Sequence, residues 1–187
     1  SHRDARPVWG EIDLAAITHN VGLLRERAGR PVSILAPVKA NAYGHGMAAV
    51  SLHLQKLGVE GLATANFDEA VAARRAGVTI PILLYGAQLP SGHVDVLDQG
   101  LTPSVYDRES LQVLGQLGSR RANPVPVHIK VDAGLGRLGV RLDEAAAFAH
   151  EVLQQPGLLL EGIYTHIPFS DDQTGAWSQR RLAAFTS

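Results

Sequence analysis

Short runs of apolar, often β-branched residues alternate along the chain with longer stretches in which apolar positions recur every three or four residues. The runs at 34–38, 61–65, 80–85, 101–106, 125–132 and 159–166 predict six strands. Their starts fall about 20 to 35 residues apart, the spacing of single βα units around a parallel sheet. Between them, Met47, Val50, Leu54 and Leu57 share a helix face that stops at Gly58. Asn66, followed three residues later by Glu69, predicts a capping box and a helix that ends at Gly77. Asp107 is placed to cap a helix over 108–117. Asp143 is placed to cap one that runs to about Gln155, where Pro156-Gly157 stops it. A sixth helix is expected over 173–187, with Trp177 and Phe185 as core candidates.

Upstream, residues 8–13 alternate Val8, Gly10 and Ile12 with Trp9, Glu11 and Asp13, predicting a strand. A helix with Leu14, Ile17, Val21 and Leu24 on one side follows and ends at Gly29. The expected organisation is one domain over 1–187, with the strand and helix in 1–30 and the βα units in 31–187.

Six βα units fit either a doubly wound sheet or a (β/α)8 barrel cut short, since a whole barrel takes about 250 residues. Polar residues decide between them. Lys39, Asn66, Tyr85, Tyr106, Lys130 with Asp132, and His166 each fall at a strand end. A barrel spreads its chemistry over the C-terminal ends of several strands, whereas an open sheet gathers it at one switch point. The α/β class with a truncated TIM-type barrel is therefore expected.

Composition narrows the function. The 187 residues are 45% hydrophobic and carry a net charge of −1, with no cysteine. Disulfides and Cys-ligated metals are excluded, and no metal site is read. There is no basic excess to suit a nucleic-acid partner. The apolar run 32–38 is far short of the about 20 residues that span a bilayer. The N-terminus lacks the pattern of a secretory signal, and Ser1-His2 reads as a tag remnant. A cytoplasmic protein without a membrane partner is expected.

Lysine is scarce: of 17 basic residues only Lys39, Lys56 and Lys130 are lysines. Lys39 ends an apolar strand, a position suited to Schiff-base chemistry, although by position alone a snorkelling lysine is the commoner explanation. The polar, glycine-punctuated stretch 40–46 leads from it into a helix, where backbone N–H groups can face an anion.

The string Val38-Lys39-Ala40-Asn41-Ala42-Tyr43-Gly44-His45-Gly46 resembles the pyridoxal-phosphate lysine motif of alanine racemases. Three further segments resemble the same family in the same order: Val8-Trp9-Gly10-Glu11-Ile12-Asp13-Leu14 with His19-Asn20, the segment from Lys130 to Gly139, and Gly162-Ile163-Tyr164-Thr165-His166. The resemblance implies a pyridoxal 5′-phosphate enzyme that interconverts L-alanine and D-alanine, a cell wall precursor. It implies Lys39 as the cofactor's Schiff-base lysine and one of two bases. Tyr43 would contact the phosphate, His166 would lie against the pyridine ring, and Arg137 would bond near the phenolic oxygen with Lys130 in support. Some members carry a carbamylated lysine at the position of Lys130. Complete members are about twice this length and form homodimers in which the partner's C-terminal domain supplies a tyrosine as second base. Nothing in 1–187 matches that tyrosine, so the chain is expected to be an N-terminal fragment, inactive alone. An end inside a predicted helix agrees with that. A non-catalytic pyridoxal-phosphate module, or a racemase or decarboxylase of the same fold for another amino acid, remains an alternative.

Blander readings stand beside these. Tyr43 can be a turn residue, His166 a structural histidine, and Arg137 a partner for Asp132. His45 reads as a loop hydrogen-bonder, mid-strand His128 as structural, and Arg120-Arg121 and Arg180-Arg181 as solvated. The segment 134–139 also satisfies G-x-G-x-x-G, with Glu161 some distance on, as in a dinucleotide site. Arg137 inside the turn and a helix cap as late as Asp143 weigh against that reading.

Overall fold

The computed structural model describes residues 8–29, 31–168 and 173–187. Helix α1 (Leu14–Ala28) starts at Asp13, whose carboxylate accepts from the Ala15 N–H at 2.7 Å. Among the described residues seven parallel strands follow: β1 (Leu35–Pro37), β2 (Gly61–Thr64), β3 (Ile82–Leu84), β4 (Thr102–Val105), β5 (Val125–Asp132), β6 (Val140–Arg141) and β7 (Leu158–Tyr164). The first five lie side by side in chain order. β7 pairs with β5 over most of its length, and β6 joins only the last two residues of β5. All six predicted strands are present in order: the first four are trimmed at their ends, 125–132 stands as expected, and the last runs over Leu158–Tyr164 rather than 159–166. The two-residue β6 is too short to leave a pattern in the sequence.

Among the described residues seven further α-helical segments accompany them: α2 (Lys39–Tyr43), α3 (Met47–Lys56), α4 (Phe67–Arg75), α5 (His93–Asp98), α6 (Arg108–Gly118), α7 (Ala145–Leu153) and α8 (Ala176–Thr186). Every residue of β2, β3 and β4 is buried, as parallel strands covered on both faces require. β1 and β7 border the sheet and are half open, with Leu35, Leu159 and Ile163 exposed. No described helix is long and apolar enough to cross a membrane.

The core forms two clusters. One packs Leu62, Ile82 and Leu84 of the first strands against Val50, Leu54 and Ala70 of α3 and α4. The other packs Val105, Val127 and Ile129 against Leu111, Leu114 and Phe148 of α6 and α7. Helix α5 joins them, since Val96 belongs to the first cluster and Leu97 to the second. Its single turn and a half is too brief to be predicted from periodicity. The end of α6 comes so near the start of β7 that a Cβ on Gly118 would strike the Gly157 carbonyl.

Three expectations are corrected. Residues 8–13 form no strand: they alternate as predicted but pair with no other strand, and Val8, Trp9 and Ile12 stay exposed. Asp143 does not cap α7, because Arg141 holds its carboxylate from Nε and Nη2 at 3.0 and 2.8 Å. A 3-10 turn over Leu142–Glu144 then leads into α7 instead. The capping box is half made. Asn66 accepts from the Glu69 N–H at 2.9 Å, but the Glu69 carboxylate turns away to another element.

Candidate active site

The polar strand ends come together on one rim of the sheet. Lys39 follows β1 and opens α2, which is unusual: Ala40, Asn41, Ala42 and Tyr43 all have φ between 51° and 55°. With ψ near 45–50° at the first three, this is one turn of left-handed helix. Such a turn costs L-residues about 1–2 kcal/mol each, least for asparagine, and persists only where its surroundings hold it. Local bonds supply part of that hold. The Ala42 N–H donates to the Val38 carbonyl and the Gly44 N–H to that of Ala40, each at 2.9 Å. Asn41 Oδ1 takes the Met47 N–H at 2.8 Å, and His45 Nδ1 meets the Ala42 carbonyl at 2.8 Å. His45 is thus the loop hydrogen-bonder expected, and the first N–H of α3 is occupied rather than open to an anion.

The turn presents the Lys39 amine 5.8 Å from the centre of the Tyr43 ring and 6.0 Å from that of Tyr85. Tyr43 is 55% exposed, so the shelf beside the lysine is open. The Tyr85 phenol is pushed up to about 12, first by burial and then by Tyr43 and Glu69, with Arg137 opposing. It stays protonated at neutral pH.

Across the rim, Lys130 is buried within β5, its amine 5.5 Å from the centre of the Tyr164 ring. Burial, then the neighbouring Arg137, lowers its pKa, against an opposite pull from Asp132. The Tyr164 hydroxyl pairs with Ser104 Oγ at 2.8 Å, and burial pushes its pKa up to about 12. His166 is held below its ordinary range by burial first, then by Arg137, Lys130 and Lys39 in that order. Three cations therefore act on one imidazole, which stays neutral at neutral pH.

Arg137 is carried by the glycine-rich segment, whose fold depends on Asp132. The Asp132 carboxylate accepts from the Gly134, Leu135 and Gly136 N–H groups at 2.9, 2.7 and 2.8 Å. Burial alone would raise its pKa, but these bonds outweigh it and hold the group below the usual carboxylate range. Asp132 thus serves the backbone rather than pairing with Arg137. The segment is a carboxylate-anchored turn rather than the opening of a helix, which removes the dinucleotide reading. His128 pairs with Glu161 at 3.0 Å and meets the Tyr164 ring edge-on, 6.3 Å between centroids. Of the arginines read as solvated, Arg121 pairs with Asp98, and Arg181 stacks 5.6 Å from the centre of the Trp177 ring and packs beside Gly134.

Lys39, Tyr43, Lys130, Arg137 and His166 are all brought to this rim. Tyr85, Tyr164, Ser104 and Glu69 join them, none of which was read from the sequence as a site residue. A signal existed for the phenols: of the four tyrosines of the chain, Tyr85, Tyr106 and Tyr164 lie at C-terminal strand ends and Tyr43 closes the turn that follows β1. A cavity of about 320 Å³ lies at the opposite end of β4 and β5, lined by Leu101, Arg121 and Pro124, with none of these residues.

A parallel βα array with lysines, arginine, histidine and phenols at the C-terminal strand ends is a barrel-type enzyme domain. The chain belongs to the family described as alanine racemase, N-terminal domain, which matches residues 12–187. The chain is similar to an alanine racemase of Desulfovibrio desulfuricans, 37% identical over 183 residues, covering 97% of this chain and 49% of the relative. Among solved structures it is similar to the alanine racemase of Clostridium difficile 630 in complex with cycloserine. There the TM-score is 0.90 and identity 27%, covering 97% of this chain and 50% of the other. It is also similar to the alanine racemase of E. faecalis, with TM-score 0.86, 33% identity, and 94% and 48% covered. The chain spans about half the length of the curated relatives it matches.

Proposed function

We propose that the chain is the cofactor-holding half of a pyridoxal-phosphate enzyme that interconverts L-alanine and D-alanine in the cytoplasm. Residues 1–187 are read as a single, incomplete barrel domain. The observation that carries this reading is the presentation of Lys39 from a strained turn onto a rim that also holds Lys130, Arg137, His166 and two protonated phenols.

The donor set fits the group. A phosphate and a phenolate oxygen need cations and O–H donors, and the aromatic ring needs a flat neighbour. Pyridoxal phosphate, when bound, delocalises the negative charge left at the α-carbon of an amino acid. Lys39 would hold it covalently and would move a proton at the substrate α-carbon from one face. The Tyr43 hydroxyl would donate to the phosphate. Arg137 would donate to the phenolic oxygen, and Lys130 beside it would add to the positive field there. The imidazole of His166, kept neutral by burial and then by its cationic neighbours, would pack against the ring without adding to that charge. A second base must act from the opposite face. In this reading it is a tyrosine from outside residues 1–187, supplied across a homodimer. The small-molecule substrate is alanine, in keeping with the racemases this chain is similar to.

Titration of the chain with pyridoxal phosphate, followed by visible absorbance and a racemisation assay, tests this. We expect a band that disappears in Lys39→Ala, with turnover only when the other half of the enzyme is present. A band that persists in Lys39→Ala, or none in a folded wild-type chain, overturns the assignment.

A further inference from the structure

We infer that Glu69 is a positioning residue: one carboxylate oxygen, reaching from the first turn of α4, holds the left-handed turn behind Lys39 and so sets where the lysine amine is presented. Its effect on the cofactor rests on the reading of Lys39 given above, whereas its hold on the turn does not.

Glu69 Oε1 accepts the N–H of Ala40, the residue immediately after Lys39, at 2.5 Å. The other tethers of the turn are made within 38–47: Asn41 Oδ1 to Met47, His45 to Ala42, and the backbone bonds at Val38, Ala40 and Asn41. Such bonds shape a loop without fixing it to the barrel. Below the turn, the Val38 N–H is paired with the Ala63 carbonyl of β2 at 2.9 Å. Above that point, Glu69 is the side chain from another element that holds a backbone group of the turn. Four consecutive residues with positive φ favour relaxation to right-handed or extended backbone unless something outside the segment opposes it.

The choice of a carboxylate is informative. By the capping-box rule, a glutamate three residues after the N-cap returns to the N-cap N–H. Here Asn66 caps α4 through the Glu69 backbone, which frees the side chain for Ala40. Its second oxygen, Oε2, is buried without a hydrogen-bond partner. A buried acceptor left unmatched is unfavourable, so it is retained where its position serves something else. The carboxylate also lies close enough to Tyr85, one of the two rings that flank the Lys39 amine, to help keep that phenol protonated.

The test uses the 187-residue chain carrying Glu69→Ala or Glu69→Gln. The cap of α4 runs from the Glu69 backbone N–H to Asn66 Oδ1 and survives both substitutions, and glutamine keeps an acceptor for Ala40. Amide hydrogen exchange is read first, then titration with pyridoxal phosphate. In Glu69→Ala we expect exchange across 40–43 to quicken by about tenfold while α7 is unchanged, with about tenfold weaker half-saturation by the cofactor. Glu69→Gln should restore most of both, which general loosening of the fold would not do. Unchanged exchange at 40–43 in Glu69→Ala, or equal losses in the two variants, overturns the inference. A band that persists in Lys39→Ala overturns the Lys39 reading alone and leaves the exchange result to judge Glu69.

Discussion

The two halves of the rim solve one problem in different ways. After β1 and after β5 the chain must hold an irregular loop that carries a basic side chain, and in both places a carboxylate accepts backbone N–H groups. After β5 that carboxylate is Asp132, two to four residues from the N–H groups it holds. After β1 it is Glu69, 29 positions from Ala40 and on another helix. The first loop is nearly self-contained, and glycine supplies the positive φ at 134, 136 and 139. The second imposes positive φ on alanine, asparagine and tyrosine and relies on tertiary structure to keep it there. A local anchor travels with its motif, whereas a distant one makes the loop conditional on the packing of its neighbours.

The largest test of that contrast concerns the cores beneath the loops. Leu84 and Leu114 are fully buried, one in each cluster. Each change to alanine should cost about 2–5 kcal/mol in chemical denaturation. If the clusters are independent, the double variant is additive to within about 0.5 kcal/mol; a larger deviation would mean that the halves share one core. A smaller effect is expected at Asp132→Asn, which weakens three N–H bonds to a carboxylate and should cost about 2 kcal/mol. Because the folded pKa of Asp132 lies below its ordinary 3.8, its contribution is present above that pH and lost as pH falls through the lower folded value. The variant should therefore lose less stability on acidification than the wild type.

The smallest effect concerns the seam. His93 begins α5, is 1% exposed, and neither ring nitrogen has a partner. Burial lowers its pKa from 6.5, with Asp107 pulling the other way. The unfolded chain then binds a proton that the folded chain resists, so stability declines as pH drops below about 6.5. His93→Leu should be neutral or stabilising by about 1 kcal/mol at pH 7 and should flatten that decline. Thermal melts at pH 5 and 7 that show the same slope in both proteins would count against a neutral buried imidazole.

What the sequence disclosed follows the same division between near and far. Strands and most helices were legible because their patterns are periodic and local, and Lys39, Tyr43, Lys130, Arg137 and His166 sit in contiguous motifs. The tie from Glu69 to Ala40 was not legible, since its local context pointed to a capping box. The handedness of the turn at 40–43 was equally hidden, because nothing in Ala-Asn-Ala-Tyr requires positive φ. The strand expected at 8–13 failed for the opposite reason. Its alternation is real, but a strand also needs a neighbour, and that information lies elsewhere in the chain.

The left-handed turn also bears on which substitutions the chain can accept. Ala40 and Asn41 are exposed, a location where almost any side chain is ordinarily tolerated. Their backbone geometry reverses that freedom: glycine and asparagine fit, whereas valine, isoleucine and threonine crowd the carbonyl that positive φ brings near the Cβ. Sequence drift in this protein is thus constrained at two surface positions by chirality rather than by burial.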